Sequence, residues 1–291
     1  MDRADFIRST ARIGGSHRWT FRRNIRNPRA RQTLDEVCSS PKLHAPGSTY
    51  NASMLTRINE AIFRRTHRFW PFLESNALAI NQARMNHLAS LHLPIEGRSV
   101  LEVGAGIGLL TGFFLERGCK VLSTDARQDL LDEITRRYPE RKVALLDLER
   151  PDDIGALGKF DFVFCYGTLY HLSNPEQALA ALSQVSDSIL LETCLSPGEG
   201  EAAPVVEESA TMNQAYSRRG SRPTRAWVLN RLAKFWGHGY ISVTQPSHPD
   251  FPMDWSVPAA RSNTRAIFVG SGKPLSNPLL TTQIPTQHRA A

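Results

Sequence analysis

An α/β fold built on a parallel sheet is what this sequence predicts, and three observations predict it. Short apolar and β-branched runs recur from Val100 onward, most of them close on an acidic or glycine residue, and a helix-compatible segment follows each one. Strands alternating with helices at this length require right-handed crossovers, which make neighbouring strands parallel. Ligands of such sheets bind beyond the carboxyl ends of the strands, so the polar residues closing each run form the candidate site.

In chain order, residues 1–48 read as a basic arm. Residues 1–34 hold nine arginines and no lysine against Asp2 and Asp5, which accounts for the whole formal net charge of +7 of the 291-residue chain. The remainder is balanced, so composition indicates no basic groove and a nucleic-acid partner is not expected. The arm reads as a solvated tail or as the first part of a cap, and the turn residues from Ser39 to Ser48 end it. Residues 49–97 read as a helical cap. Leu55, Ile58, Ile62 and Phe63 recur at helical spacing, Pro71 breaks the pattern after Trp70, and a second helix runs from Glu74 to Leu91.

Residues 98–270 carry the sheet. The first strand runs through Val100-Leu101-Glu102-Val103 into Gly104-Ala105-Gly106-Ile107-Gly108. A dinucleotide fingerprint needs its third glycine three places after the second, where this chain has Leu109. Glu102 would also repel a pyrophosphate, whereas a positively charged cofactor without phosphate, such as S-adenosylmethionine, fits. The glycines would let the backbone approach its amino-acid portion closely. A second strand, Cys119 to Thr124, closes on Asp125, about 20 residues beyond the first glycine, as a ribose-binding carboxylate should. A third, Lys142 to Leu146, closes on Asp147. A fourth, Phe160 to Cys165, runs into Tyr166-Gly167-Thr168-Leu169-Tyr170-His171. A fifth, Ser188 to Glu192, places Glu192 and Thr193 at its end. Helices are expected over Leu109–Glu116, Gln128–Tyr138, Asp152–Leu157 and Pro175–Val185, and another opens at Arg222-Pro223-Thr224-Arg225 and runs to Trp236, with Pro223 at a tolerated early position. Tyr240 to Thr244 and Arg265 to Val269 read as a closing strand pair around a proline-rich excursion. Residues 271–291 lack a core pattern and are expected to be a loose tail.

The four strand ends, in this order and spacing, resemble the class I S-adenosylmethionine-dependent methyltransferases over roughly Asn81 to Gly270. The segments Asn81–Leu88, Leu169–Leu172 and Thr244–Trp255 also look like those of a bacterial subgroup. The resemblance implies a Rossmann-like fold with a mostly parallel seven-stranded sheet flanked by helices and an N-terminal helical cap, and S-adenosylmethionine as cofactor. By the same resemblance Glu102, Gly104 and Gly106 line the methionine portion, Asp125 the ribose, and Asp147 with Leu148 the adenine. Ala105, Gly108, Ala126 and Tyr166 complete the implied cofactor set, and the cap brings Trp70, Asn76 or Arg84 near the pocket.

Methyl transfer asks the protein to position a nucleophile and to accept its proton. His171 suits the base, because an imidazole titrates near neutrality, and Tyr170 suits contact with the acceptor or the sulfonium. Arg84 offers a planar fork for a substrate carboxylate. Asn76 and, in the excursion, His248, Asp254 and Trp255 complete the candidate acceptor contacts. The acceptor expected is a small molecule with an oxygen or nitrogen nucleophile. Three other readings stand beside it: transfer or cyclisation of the aminocarboxypropyl group with release of methylthioadenosine, RNA methylation using the arm, and a non-catalytic cofactor-binding module. The four scattered cysteines suit reduced, buried thiols, with neither a disulfide framework nor a metal site. No apolar run reaches the ~20 residues of a membrane span, so a cytoplasmic protein is expected. Oligomeric state cannot be read from the sequence.

Overall fold

The computed structural model describes residues 67–152, 154–198, 200–257 and 264–290. By its internal contacts the chain divides into residues 1–48 and 49–291, and every described residue lies in the second unit. The basic arm and residues 49–66 of the expected cap therefore lie outside the described residues.

What remains of the cap is α1 (Trp70–Leu73) and α2 (Ser75–Ser90). Pro71 sits in the first turn of α1, where its missing N–H costs nothing, so it opens a short helix rather than breaking a long one. The strands that follow are β1 (Ser99–Val103), β2 (Lys120–Asp125), β3 (Lys142–Leu145), β4 (Phe162–Tyr166) and β5 (Ser188–Leu195). Between them run α3 (Thr111–Leu115), α4 (Gln128–Arg137) and α5 (Pro175–Ser183), with 3-10 turns at Ile154–Leu157 and Leu169–His171. The second half adds β6 (Val205–Glu207), β7 (Arg219–Ser221), α6 (Arg225–Trp236), β8 (His238–Ser242), β9 (Thr244–Gln245), β10 (Thr264–Ser271), β11 (Leu280–Thr281) and β12 (Arg289–Ala290).

Capping explains two of these helix starts. The Asn174 side chain accepts from Gln177 N ahead of Pro175, and Thr224 Oγ1 accepts from Trp227 N. Thr224 is thus the cap of α6, and Pro223 lies outside the helix rather than in its first turn. Gly237, at φ +87°, ends α6 in a conformation that favours glycine.

The main sheet has the order β11-β8-β10-β5-β4-β1-β2-β3. Strands β1 to β5 pair in parallel, and β10 runs antiparallel between β5 and β8. The central strands are buried on both faces, which is why Val100, Leu101, Val163, Ile189 and Leu191 form near-continuous apolar runs, each wholly inaccessible to solvent. Strand order turns back at β1, whose neighbours are β2 and β4. That reversal opens a crevice at the carboxyl ends of these strands.

Two expectations need correction. The sheet has eight strands, not seven, because β11 adds to the edge beside β8. The residues after 271 are also not loose. Leu280 is buried, Asn277 Nδ2 donates to Leu91 O at 2.8 Å, and Arg289–Ala290 pair with Thr244–Gln245. The tail satisfies the open edge of β8 and so acquires partners that no local pattern announces. Truncation after Gly272 should therefore lower Tm by about 4–8 °C, since loss of the Leu280 side chain alone removes roughly 2 kcal/mol of apolar burial. A melting curve unchanged by the truncation would return the tail to a loose state.

Candidate functional site

After β1 the chain turns through Gly104 and Gly106, at φ +66° and +57°. A Cβ on Gly104 would stand 2.2 Å from Thr168 Oγ1, and one on Gly106 would stand 2.8 Å from a ring carbon of Phe72. Backbone angle and space both demand glycine here. The turn is held from the next strand: Gly106 N donates to Asp125 Oδ2 at 2.9 Å, and Arg127 N donates to Asp125 Oδ1 at 3.0 Å. Burial pushes the Asp125 carboxyl up to about 6, while the two N–H donors pull it the other way.

Beside this turn lies an open cleft with about 720 Å³ of non-atom space, open solvent at its mouth included. Of the residues predicted from sequence, it is lined by Gly104, Gly106, Asp125, Ala126, Asp147 and Leu148, with His171 also on its wall. Glu102, Ala105, Gly108 and Tyr166 do not border it. Glu102 points under the loop, where its Oε2 accepts from Thr111 Oγ1 and Ser123 Oγ, each at 2.7 Å. Burial raises its pKa, opposed by these two hydroxyls. Its visible work is to anchor the loop, not to contact a ligand from the cleft. Ala105 N is tied to Thr124 O, and Gly108 O accepts from Arg141 Nη1. Tyr166 is buried against Phe164.

His171 comes with a partner that the sequence did not suggest. Its Nδ1 lies 2.5 Å from Glu208 Oε2, and Glu208 also accepts from Ala215 N at 2.8 Å and Arg222 Nη1 at 3.1 Å. Burial would raise the Glu208 carboxyl, but these donors outweigh it and hold it at about 2. Burial pushes His171 below its ordinary 6.5, against the pull of Glu208 and with help from Arg265 and Arg222. An ionised Glu208 can only accept, so Nδ1 of His171 carries the proton and the other ring nitrogen is left as an acceptor.

The remaining acceptor candidates are placed elsewhere. Tyr170 is buried beside His171, and its hydroxyl accepts from Arg265 Nη2 at 3.2 Å. Arg84 does not line the cleft, and its terminal nitrogens are engaged by Asn81 Oδ1 at 2.9 Å and Glu192 Oε2 at 2.6 Å. That pairing removes it as a clamp for a substrate carboxylate. Asn76 is exposed on the first turn of α2, away from the cleft lining. His248 Nδ1 accepts from Asp250 N. Asp254 caps Ser256, and Trp255 packs beneath the Arg225 guanidinium, 4.1 Å away. None of these three lines the cleft. The sequence reading missed Phe72, Thr168 and the segment Met212–Ser217, all of which do. Thr168 had a signal, since it stands in the quoted fourth strand end. The 212–217 segment had none, being a loop with no chemical motif.

A family model described as a methyltransferase domain matches residues 101–186, which span the strand ends just described. The chain carries a class I S-adenosylmethionine-dependent methyltransferase domain. It is 31% identical over 112 residues to phosphoethanolamine N-methyltransferase 1 of Arabidopsis thaliana, covering 38% of this chain and 23% of that one. It is 32% identical over 127 residues to a ubiquinone biosynthesis O-methyltransferase of Methylococcus capsulatus, covering 41% and 52%. The match thus spans about half or less of the curated relatives' length. Among solved structures, the N-terminal domain of EvdMO1 with S-adenosylhomocysteine bound superposes with a TM-score of 0.51 at 21% identity, covering 65% of this chain and 80% of that one. That likeness concerns the fold.

The methyltransferase cleft fits this cofactor on its own geometry. Each Asp125 oxygen takes one backbone donor and keeps lone-pair capacity for a ribose hydroxyl, and Leu148 offers apolar surface. Asp125 should make cofactor binding pH-dependent. Its folded pKa of about 6 lies above the ordinary 3.8, so it gains a proton as pH falls through 6 and loses acceptor capacity. Calorimetric affinity for S-adenosylhomocysteine should fall severalfold from pH 7 to pH 5, and Asp125→Asn should bind weakly with that step gone. An Asp125→Asn protein that binds as tightly as the parent at both pH values would remove this carboxylate from the site.

Proposed function

We propose that this chain transfers a methyl group from S-adenosylmethionine to a hydroxyl of a small molecule, with His171 as the general base. The observation that carries this reading is the His171 imidazole on the wall of the cleft, its Nδ1 2.5 Å from Glu208 Oε2. When bound, the cofactor supplies an electrophilic methyl carbon on a positively charged sulfur.

A hydroxyl oxygen forming a bond to that carbon must shed its proton, and a neutral imidazole can take it. Burial keeps His171 neutral near physiological pH, and Glu208 fixes its tautomer and stabilises the cation formed when the proton arrives. With the cofactor bound, the oxygen–carbon bond would form as the carbon–sulfur bond broke with its electron pair staying on sulfur, and His171 Nε2 would take the hydroxyl proton. The names of the curated relatives, one for phosphoethanolamine and one for ubiquinone biosynthesis, support a small-molecule acceptor.

Incubating the protein with S-adenosylmethionine and a pooled metabolite extract tests the reading by mass spectrometry. S-adenosylhomocysteine formed only with the extract, together with a product heavier by one CH2, is expected. Methylthioadenosine formed without any acceptor would overturn it. With the acceptor in hand, His171→Asn should lower kcat by roughly 100- to 10,000-fold while cofactor affinity stays within about twofold. The parent's kcat should fall on the acid side with a midpoint below 6.5, as the imidazole becomes protonated.

A further inference from the structure

A buried charge cluster next to the cleft has no part in the roles above. Glu192, within β5, is wholly inaccessible to solvent. Its two oxygens are taken by two arginines: Oε2 by Arg84 Nη2 at 2.6 Å and Oε1 by Arg265 Nη1 at 2.9 Å. Arg84 comes from α2 of the cap and Arg265 from β10, so a single carboxylate joins cap helix, central sheet and antiparallel strand. Tyr166 and Glu192 are register partners in β4 and β5, so their side chains share one face of the sheet.

The cluster continues to the base. Arg265 Nη2 donates to the Tyr170 hydroxyl at 3.2 Å, and its guanidinium lies 4.8 Å from the centre of the Tyr170 ring. The opposite support is Arg222, which donates to Tyr170 O at 3.1 Å and to Glu208 Oε1 at 3.1 Å. The Tyr170 ring in turn lies 4.0 Å from the His171 ring, centre to centre. At the other end of the chain of contacts, a Cβ on Gly167 would stand 3.3 Å from Arg84 Nη2, and Gly167 itself lines the cleft. The arrangement would be a costly way merely to fill space, since burying three charges rarely improves on apolar packing.

We infer that Glu192 is a positioning residue, which by bridging Arg84 and Arg265 holds the Tyr170–His171 pair against the cofactor cleft. The inference rests on His171 being the base, but it concerns the placement of that ring and can be read without an acceptor. The charged and titratable groups that bear on His171 are Glu208, Arg265 and Arg222, with Tyr170 packed on its ring. Replacing Glu192 by a neutral residue leaves Arg84 without its anion and Arg265 with only Asp250 Oδ2, 3.8 Å from its Nε, and the less compensated positive charge disfavours the imidazolium.

The test is an NMR titration of full-length protein labelled at histidine, with the His171 signal identified by its loss in His171→Asn. In Glu192→Gln the His171 midpoint should move down by about half a pH unit or more, with Glu192→Asp close to the parent. A folded Glu192→Gln protein with an unmoved His171 midpoint would overturn the inference. Because a buried arginine stripped of its anion can prevent folding, Tyr170→Phe serves as the second variant. It removes only the hydroxyl that Arg265 holds, and the His171 ring signals should shift or broaden while S-adenosylhomocysteine affinity stays within about twofold. Signals unchanged in Tyr170→Phe would equally overturn the inference. Failure to form a methylated product would count against the proposed function and leave these readouts untouched.

Discussion

The Asp125 carboxylate is the constraint on which the cofactor half of this molecule depends. It stands at the end of β2, yet its oxygens hold the backbone of Gly106 in the turn after β1 and of Arg127 at the start of α4. The turn after β1 and the start of α4 are thereby fixed to one side chain. The cost is visible in the raised pKa, which says that the surroundings disfavour the charge that the hydrogen bonds need. A carboxylate so poised, buried on the sheet side and open to a cleft on the other, is suited to a ligand that supplies further donors. Glu102 plays the complementary part beneath the loop, where Thr111 and Ser123 hold it from α3 and β2.

Much of this was legible in the sequence, for a local reason. Strand, glycine turn and terminal acid fall within a few residues of one another, so their chemistry is written contiguously. The succession of β1 to β5 along the chain and the cleft positions of Gly104, Gly106, Asp125, Asp147 and Leu148 follow from that. Direction within a strand was less legible. Glu102 and Tyr166 stand at the right ends of β1 and β4, but alternation along a strand sends a side chain to one face or the other, and only packing decides which.

The surroundings of His171 were largely illegible, because their contacts join residues far apart in sequence. His171 meets Glu208 across 37 positions, and Arg84 meets Glu192 across 108. Nothing near Arg84 announces that its terminal nitrogens are already engaged. Glu208 lies in an irregular stretch between β6 and β7 with no motif around it. The tail misled for the same reason: β11 and β12 are two-residue strands whose partners are β8 and β9, and two residues are too few to show a period.

One signal was present and went unused. Arg265 is the second residue of a strand whose eight residues are all buried, and a buried arginine must have an anion within reach. Glu192 satisfies it, and Arg84 arrives at the same carboxylate from the cap. A buried ion triad is poor evidence of stabilisation, since apolar residues of similar volume often serve stability as well or better. What the triad provides is geometry, because each bond fixes the angle at which the next side chain leaves. The cofactor half of the fold is held by backbone hydrogen bonds to one carboxylate. The surroundings of His171 are held instead by side chains from α2, β5 and β10 and by Arg222 just after β7, each reaching across the fold to the next.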